Sequence, residues 1–590
     1  MIYSKSYIGS YASLDPELSA RYSELFTGYS LSAANIGATT SIQTANQLAE
    51  VEARLREGIN TVEMGTMSPE IFEQIPKQHF EEMKRLAKLA NAEVTIHGPL
   101  IDPSGFTDRG WSEISREEAE RHLLGIIEKA HAINPKGNIP VTIHGSVIPA
   151  EDWQKKIGKF EFEKPQRNII VAINRESGEL TAIRGEEMMT LGEVEPIYRS
   201  PEERLDSINA TEWENHLIKV SDMLRIGDEI MAQVPSADIL LKSIMEGKIK
   251  SEAEMTPQQR EDWLKLNRAR LYFEDAATRF RTLYEWVYKY GDEKTKEKMN
   301  QIAKMWKEKK ELAALDPLEE RNILIHSLNL MENITKHNPP KLYQPVTDFA
   351  LEKAPETIGN VAWEAYKKFG ENTPIIAIEN VLPNMVFSRA ESLAKVIDKS
   401  REHFIEKAVA SGMKREKAEK EAEKLIGATW DIAHINLMRQ KGFKEKEIIA
   451  ETKKIAPYVK KVHLTDNFGM EHSDLPPGMG NVPIKKMMEE IEKAGFTGKS
   501  IIEAGSWVTQ FKTSAHPYAI EALSSPIYTT TPSPTWATAR GLYGAGGVGY
   551  GVTFPEQHFA MYGAGFSALP VSLGGTISGK QSRFSGAPME

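Results

Sequence analysis

The 590-residue sequence contains no cysteine, so disulfides and thiolate metal sites are excluded, and any metal must be held by histidine, aspartate or glutamate. The same absence suits a reducing compartment, and a cytoplasmic protein is the expectation. The stretch Met1–Asp15 has neither a basic start nor an apolar run, so no signal peptide is expected. There is no long Lys/Arg run with interleaved aromatics, and the formal net charge is −10. Charge therefore gives no support to a nucleic-acid partner, although a local basic rim or bound cations can offset a mildly acidic total. No Gly-rich phosphate loop follows the first strand-like run, which argues against an open, doubly wound nucleotide-binding sheet.

What is present is a globular composition, 41% hydrophobic and 26% charged, on a chain too long for one ordinary domain. From residue 31 to 150, short apolar runs alternate with amphipathic stretches. Strands are predicted near Ala33–Thr40 and at Thr61–Gly65, Glu93–His97 and Pro140–His144, with helices at Gln47–Glu57, His79–Asn91 and Arg116–Ile133. The pattern resumes near Thr357. Strands are predicted at Pro374–Glu379, Gly427–His434, Val459–Leu464 and Ser500–Glu503, and helices at Ile358–Phe369, Arg389–Lys424, Lys444–Ile455, Ile484–Ala494 and Pro517–Leu523. Such β–α alternation implies parallel strands with crossover helices. Eight of each predicts an α/β fold of the closed (β/α)₈ TIM-barrel type. Residues 1–150 would form its first half and 346–524 its second.

Two regions stand outside the repeat. Residues 151–345 read as an insertion after strand four: a hairpin over Asn168–Arg184, turning at Glu176–Gly178, and then a charged, mainly helical subdomain. Strand four's following loop opens on the face where barrel active sites lie, so the insertion is either a lid or an oligomerising decoration. Residues 525–590 form a Gly/Ser/aromatic-rich extension nearly free of charge. Within it Phe559–Gly579 has no charged residue, but five glycines and Pro570 make it a poor spanning helix. No membrane partner is expected; the extension reads as a strap that packs on the barrel or supports a homo-oligomer.

The chemistry lies at the strand ends. The third and fourth strands read Val94-Thr-Ile-His97-Gly-Pro and Val141-Thr-Ile-His144-Gly-Ser, and the fifth Ile375-Ile-Ala-Ile-Glu379. The sixth reads Ala428-Thr-Trp-Asp431-Ile-Ala-His434 and the seventh Lys461-Val-His463, followed by a loop with His472-Ser-Asp474; the eighth ends in Ile501-Ile-Glu503. A single histidine or glutamate closing an apolar strand is ordinarily a structural residue. Six consecutive strands closing this way are not ordinary, because in a barrel those ends meet around one mouth. Five imidazoles and four carboxylates there need cations between them. A His/Asp/Glu set without thiols suits zinc, manganese, cobalt or iron. The nine remaining histidines lie mostly in helical or loop sequence and read as ordinary. Asp466 reads either as an orienter of ligands or as a turn cap.

These strand ends resemble the xylose-isomerase-like barrel superfamily, and the full set resembles endonuclease IV, over about residues 31–150 and 346–515. The resemblance implies two or three divalent ions, zinc first and manganese second. His97, His144 and Glu379 would hold one ion, Glu379 with Asp431, His463 and Glu503 a second, and His434, His472 and Asp474 a third. The order His472-Ser-Asp474 reverses the family's Asp-before-His, but residues i and i+2 of an extended loop point the same way, so the pair is kept.

The activity implied is hydrolysis of a phosphodiester by metal-activated water, with Glu379 and Glu503 as catalytic carboxylates. The superfamily's sugar isomerases and epimerases imply the alternative: one metal on Glu379, Asp431, His463 and Glu503, and a small-molecule substrate whose proton the two glutamates move. A non-catalytic, metal-stabilised assembly protein is a third reading. The extra donors His97, His144, His472 and Asp474 favour the multi-metal hydrolase.

Overall fold

The computed structural model describes residues 27–66, 68–189, 192, 195–249, 251–315, 317–504, 507 and 514–523. The extension at 525–590, with its apolar run, lies outside the described residues. Eight parallel strands close a barrel. They are β1 (Ile36–Thr39), β2 (Thr61–Gly65), β3 (Glu93–His97), β4 (Pro140–His144), β5 (Ile375–Glu379), β6 (Ile426–Asp431), β7 (Val459–His463) and β8 (Ser500–Ile502). Each pairs with its neighbours in sequence, and β1 pairs with β8 through Gly37↔Ile501, which closes the ring. The fold is the expected (β/α)₈ barrel with a mainly helical insertion after its fourth strand.

The crossover helices are α1 (Gln47–Arg56), α2 (Lys77–Ala90), α3 (Glu113–Ile133), α4 (Val346–Phe369), α5 (Ala390–Ala410), α6 (Arg415–Leu425), α7 (Glu445–Ile455), α8 (Ile484–Lys493) and α9 (His516–Ala522). Ser112 starts α3 by accepting a hydrogen bond from the Ser115 N–H at 3.1 Å, which satisfies one of the unpaired amides at a helix start. The charged stretch 389–424 is two helices rather than one, because Gly412 takes a left-handed φ of 95° between α5 and α6. Strand six is also shorter than its sequence suggests. It stops at Asp431, whose carboxylate caps the short helix Ile432–Asn436 by accepting from the N–H groups of Ala433 (2.6 Å) and His434 (2.9 Å). His434 is therefore a helix residue.

Register explains how the barrel positions side chains. Alternate residues of a strand face inward, so the residue two places before each strand-end donor lies in the layer beneath it. The pairings Glu63↔Thr95, Thr142↔Ala377, Glu379↔His144 and Asp431↔His463 set these layers level around the ring. Outward residues pack under the helices: buried Trp430 donates its indole N–H to Thr452 on α7 at 3.1 Å.

The chain divides into two compact units, residues 172–344 and the remainder. The larger unit includes, besides the barrel, an antiparallel ribbon in which Glu151–Ile157 pairs with the strand Phe160–Asn174 from Ile157↔Phe160 to Glu151↔Ile170. The turn at Gly158, with φ 57°, makes this a hairpin that precedes the expected one, in which Leu180–Arg184 pairs with the same long strand. The smaller unit is built on the helices Pro201–Met231, Ala237–Met245, Pro257–Tyr290, Glu293–Leu315 and Pro317–Thr335. Ser200/Glu203 and Thr256/Gln259 form reciprocal caps at the starts of its two longest helices. Those two helices pack closely at Gly227, where a Cβ would run into the Phe273 ring. Among the described residues no helix is long and apolar enough to cross a membrane.

Candidate metal centre

Six of the nine predicted donors stand at or just past the ends of β3 to β8 and meet inside the mouth. His463 on β7 sets its Nδ1 at 2.6 Å from Glu379 Oε1 and 3.4 Å from Glu503 Oε2. His97 on β3 sets its Nε2 at 3.2 Å from Glu379 Oε2 and 3.6 Å from Glu503 Oε1. His144 on β4 is farther, its Nε2 at 3.8 Å from Glu379 Oε2. Its ring lies 4.8 Å from that of His97 between centroids. Among the described residues, two groups of donor atoms fall within 4.8 Å of one another: His97, Glu379, His463 and Glu503, and Glu379, Asp431 and His434. Glu379 is common to both, as it is common to two ions in the resemblance. The remaining membership is shared out differently, since His97 and His463 fall in one group.

The other three predicted donors form a second cluster. His434 Nε2 lies 3.1 Å from His472 Nε2, and His472 Nε2 lies 3.1 Å from Asp474 Oδ1. The reversed His472-Ser-Asp474 order thus keeps both groups together. Its loop is pinned by backbone bonds between Asp466 and Leu475. The Asp466 carboxylate accepts from the N–H groups of Asn467 (2.9 Å), Gly478 (2.9 Å) and Val482 (3.0 Å). Asp466 is thereby the cap of the loop that carries His472 and Asp474. Asn380, which no local pattern singles out, does the same between strands. Its side chain donates to the Asp431 carbonyl (2.9 Å) and accepts from the Asp431 N–H (2.7 Å), locking the ends of β5 and β6 together.

Ring orientation shows which nitrogens are presented. The carbonyl of Asn380 can only accept, so His434 carries a proton on Nδ1, 2.8 Å away, and points Nε2 at His472. His97 Nδ1 meets the Gly98 carbonyl at 3.1 Å in the same way and points Nε2 at the two glutamates. A nitrogen lone pair facing carboxylates, or facing another nitrogen, calls for a cation between them, either a proton or a metal.

The titration shifts express that demand. Burial works against charge on His97, but Glu379 beside it, with Glu503 and Glu63, lifts its pKa to about 9. Burial also opposes charge on His463, yet Glu503, Glu63 and Glu379 raise it well above the ordinary imidazole value. His144 is driven the other way, to about 4, by burial and by the neighbouring His97. Burial would raise Glu379, but His463 and His97 hold it well below the usual carboxylate range; Glu503 is lowered against the same opposition. Burial raises Asp431 and Asp474. Ligands around a zinc ion at about 2.0–2.2 Å lie roughly 3–4 Å from one another. The spacings here and the all-nitrogen-and-oxygen donor set fit a divalent cation.

Beneath this layer is one the sequence reading passed over. Buried Glu63 on β2 faces buried Lys461 on β7 in a short ion pair, and Thr142 and Thr429 join it through hydrogen bonds of 3.1 and 3.0 Å. The signal was present in the sequence. Thr95, Thr142, Thr429 and Lys461 each stand two residues before a strand-end donor, where barrel interiors ordinarily carry branched apolar side chains.

Residues 415–521 match the family model described as xylose isomerase-like TIM barrel. The match spans β6, β7 and β8 and includes Asp431, His434, His463, His472, Asp474 and Glu503. The resemblance carried by the strand ends is found again there, on a closed eight-stranded barrel. Among solved structures, the chain is similar to a D-tagatose 3-epimerase-like protein at 10% identity, covering 83% of this chain and 97% of that one, with a TM-score of 0.37. It is similar to D-psicose 3-epimerase from Clostridium cellulolyticum H10 at 8% identity, with the same coverages and a TM-score of 0.37. At such values these likenesses carry no argument about substrate. No curated protein sequence matches the chain.

Proposed function

We propose that this protein is a metal-dependent phosphodiester hydrolase, with two or three divalent ions, zinc first, held at the mouth of the barrel. The observation that carries the reading is the second cluster. His434 presents Nε2 to His472 at 3.1 Å with Asp474 alongside, beyond the donors that a single ion needs. A one-metal isomerase does not require all three of these groups as ligands.

Bound ions would supply a water of lowered pKa and positive charge opposite a phosphoryl group. The chain's own residues do the rest. Glu379, buried beneath the mouth and close to both donor groups, sets the spacing between them. Of the two catalytic carboxylates Glu503 is the accessible one, 23% exposed against 1% for Glu379, and is the one within reach of a substrate or its proton. Asp466 and Asn380 hold the second cluster in place so that it need not be assembled when substrate arrives.

The test is metal content by mass spectrometry on full-length protein purified without chelator, with hydrolysis of bis(p-nitrophenyl) phosphate measured alongside. Two to three zinc ions per chain are expected, as the resemblance implies. The double variant His472→Ala/Asp474→Ala should lose about one ion and reduce turnover beyond the roughly 100-fold seen for outer-shell changes. A single ion untouched by that variant, with turnover of ketose epimers, would overturn the hydrolase. It would favour the sugar isomerase reading, in which Glu379, Asp431, His463 and Glu503 hold one metal.

A further inference from the structure

Three histidines of the mouth have one ring nitrogen turned away from the other donors, and their partners differ in kind. For His97 it is the Gly98 carbonyl and for His434 the Asn380 carbonyl, both neutral. For His463 it is a carboxylate: Nε2 lies 3.1 Å from Glu63 Oε2, an ion-pair distance without hydrogen-bond geometry. The other oxygen of Glu63 is engaged from below by Lys461 and by the Thr142 hydroxyl, and Lys461 also reaches Thr142 at 3.0 Å.

A buried lysine–glutamate pair is a poor device for stability, since apolar residues of similar volume usually serve as well or better. Its placement suggests another use. Among the described residues His463 Nε2 has no hydrogen-bonding carbonyl, and the Glu63 carboxylate 3.1 Å away favours the ring orientation that turns Nδ1 toward Glu379 and Glu503. An unbalanced carboxylate there would add a full negative charge beneath a cluster already rich in acids. Lys461, two residues before His463 on the same strand and so on the same inward face, cancels it.

We propose that Glu63 and Lys461 are positioning residues of the metal centre: Glu63 fixes His463 with its proton on Nε2 and Nδ1 offered to the ion, and Lys461 neutralises Glu63. This rests on the metal-binding reading above. Neither residue touches substrate.

The experiment compares two charge-neutral double variants of the full-length, chelator-stripped protein, titrated with cobalt(II) and followed by visible absorption. Glu63→Leu/Lys461→Met removes both charges and the acceptor. Glu63→Gln/Lys461→Met removes both charges but keeps an amide oxygen able to accept from His463. Both should melt near the wild-type temperature in chelator, because no buried charge is left unpaired. The Leu/Met variant should bind cobalt about 10–100-fold more weakly, with an altered spectrum. The Gln/Met variant should recover most of the affinity and the wild-type band shape. Equal affinities in the two variants, whether both strong or both weak, would overturn the positioning role while leaving the metal centre standing. A wild-type chain that takes up no cobalt would sink the metal reading itself, and this inference with it.

Discussion

Inside the barrel, Glu63, Lys461, His463 and Glu379 are buried side by side, whereas the unit of residues 172–344 buries Trp213, Phe273, Phe280 and Leu324 in an apolar core. In that smaller unit the polar atoms of the core are settled locally. The Trp213 indole donates to Thr335 at 2.8 Å and the Trp306 indole to Ser327 at 2.9 Å. Arg321 meets Asp228 through two parallel bonds of 2.6 Å at the partly exposed edge. The same chain thus follows the ordinary rule for burying side chains in one place and departs from it in another. In the barrel the buried charges Glu63 and Lys461 take inward positions one layer beneath the candidate donors, which ties them to the site.

The largest effects should come from breaking each region by its own rule. Phe273→Ala removes a ring that is buried between the two longest helices of the smaller unit and should cost about 3–5 kcal/mol in denaturant melts. In the barrel, Glu63→Ala alone should cost a similar amount, about 3–5 kcal/mol, because Lys461 is left buried and unpaired. Adding Lys461→Met to it should then restore most of the lost stability, whereas no second charge-removing change should rescue Phe273→Ala. If Glu63→Ala is tolerated without that second change, the pair is not the charge-balanced element described here.

A somewhat smaller effect sharpens the contrast among buried imidazoles. His97 is raised because carboxylates face it, but His516 is lowered to about 4, first by burial and then by the nearby Arg54. A depressed folded-state value gives stability that is complete above the unfolded value of about 6.5 and is lost as pH falls toward 4. Up to roughly 3 kcal/mol should disappear over that window. His516→Gln should melt with a shallower loss between pH 7 and 4 than the wild type; parallel curves would show that His516 does not drive the acid limb.

How far the site was legible follows from which residues act locally. The strand-end donors could be read because each interrupts an apolar run at the end of a β–α unit, and a barrel has only one place for such ends to meet. The second cluster was legible as residues but not as geometry. Whether His472 and Asp474 face His434 depends on a loop whose course is set by the Asp466 carboxylate and its three backbone partners. The extent of strand six was misjudged because Asp431 is both the last strand residue and the cap of the next helix, and apolar patterning runs through both. Asn380 and Glu63 gave no local sign of their roles, since their partners lie 51 and about 400 residues away along the chain.

The sequence by itself determined the class of fold, the exclusion of thiol chemistry and the donor types, because strand and helix periodicity and residue chemistry are local properties. Only the tertiary structure decided which donors share a group, which ring nitrogen each histidine presents, and that a buried Glu63–Lys461 pair lies under His463. Those depend on strand register around a closed ring, where residues hundreds of positions apart are brought to the same level by hydrogen bonding between neighbouring strands.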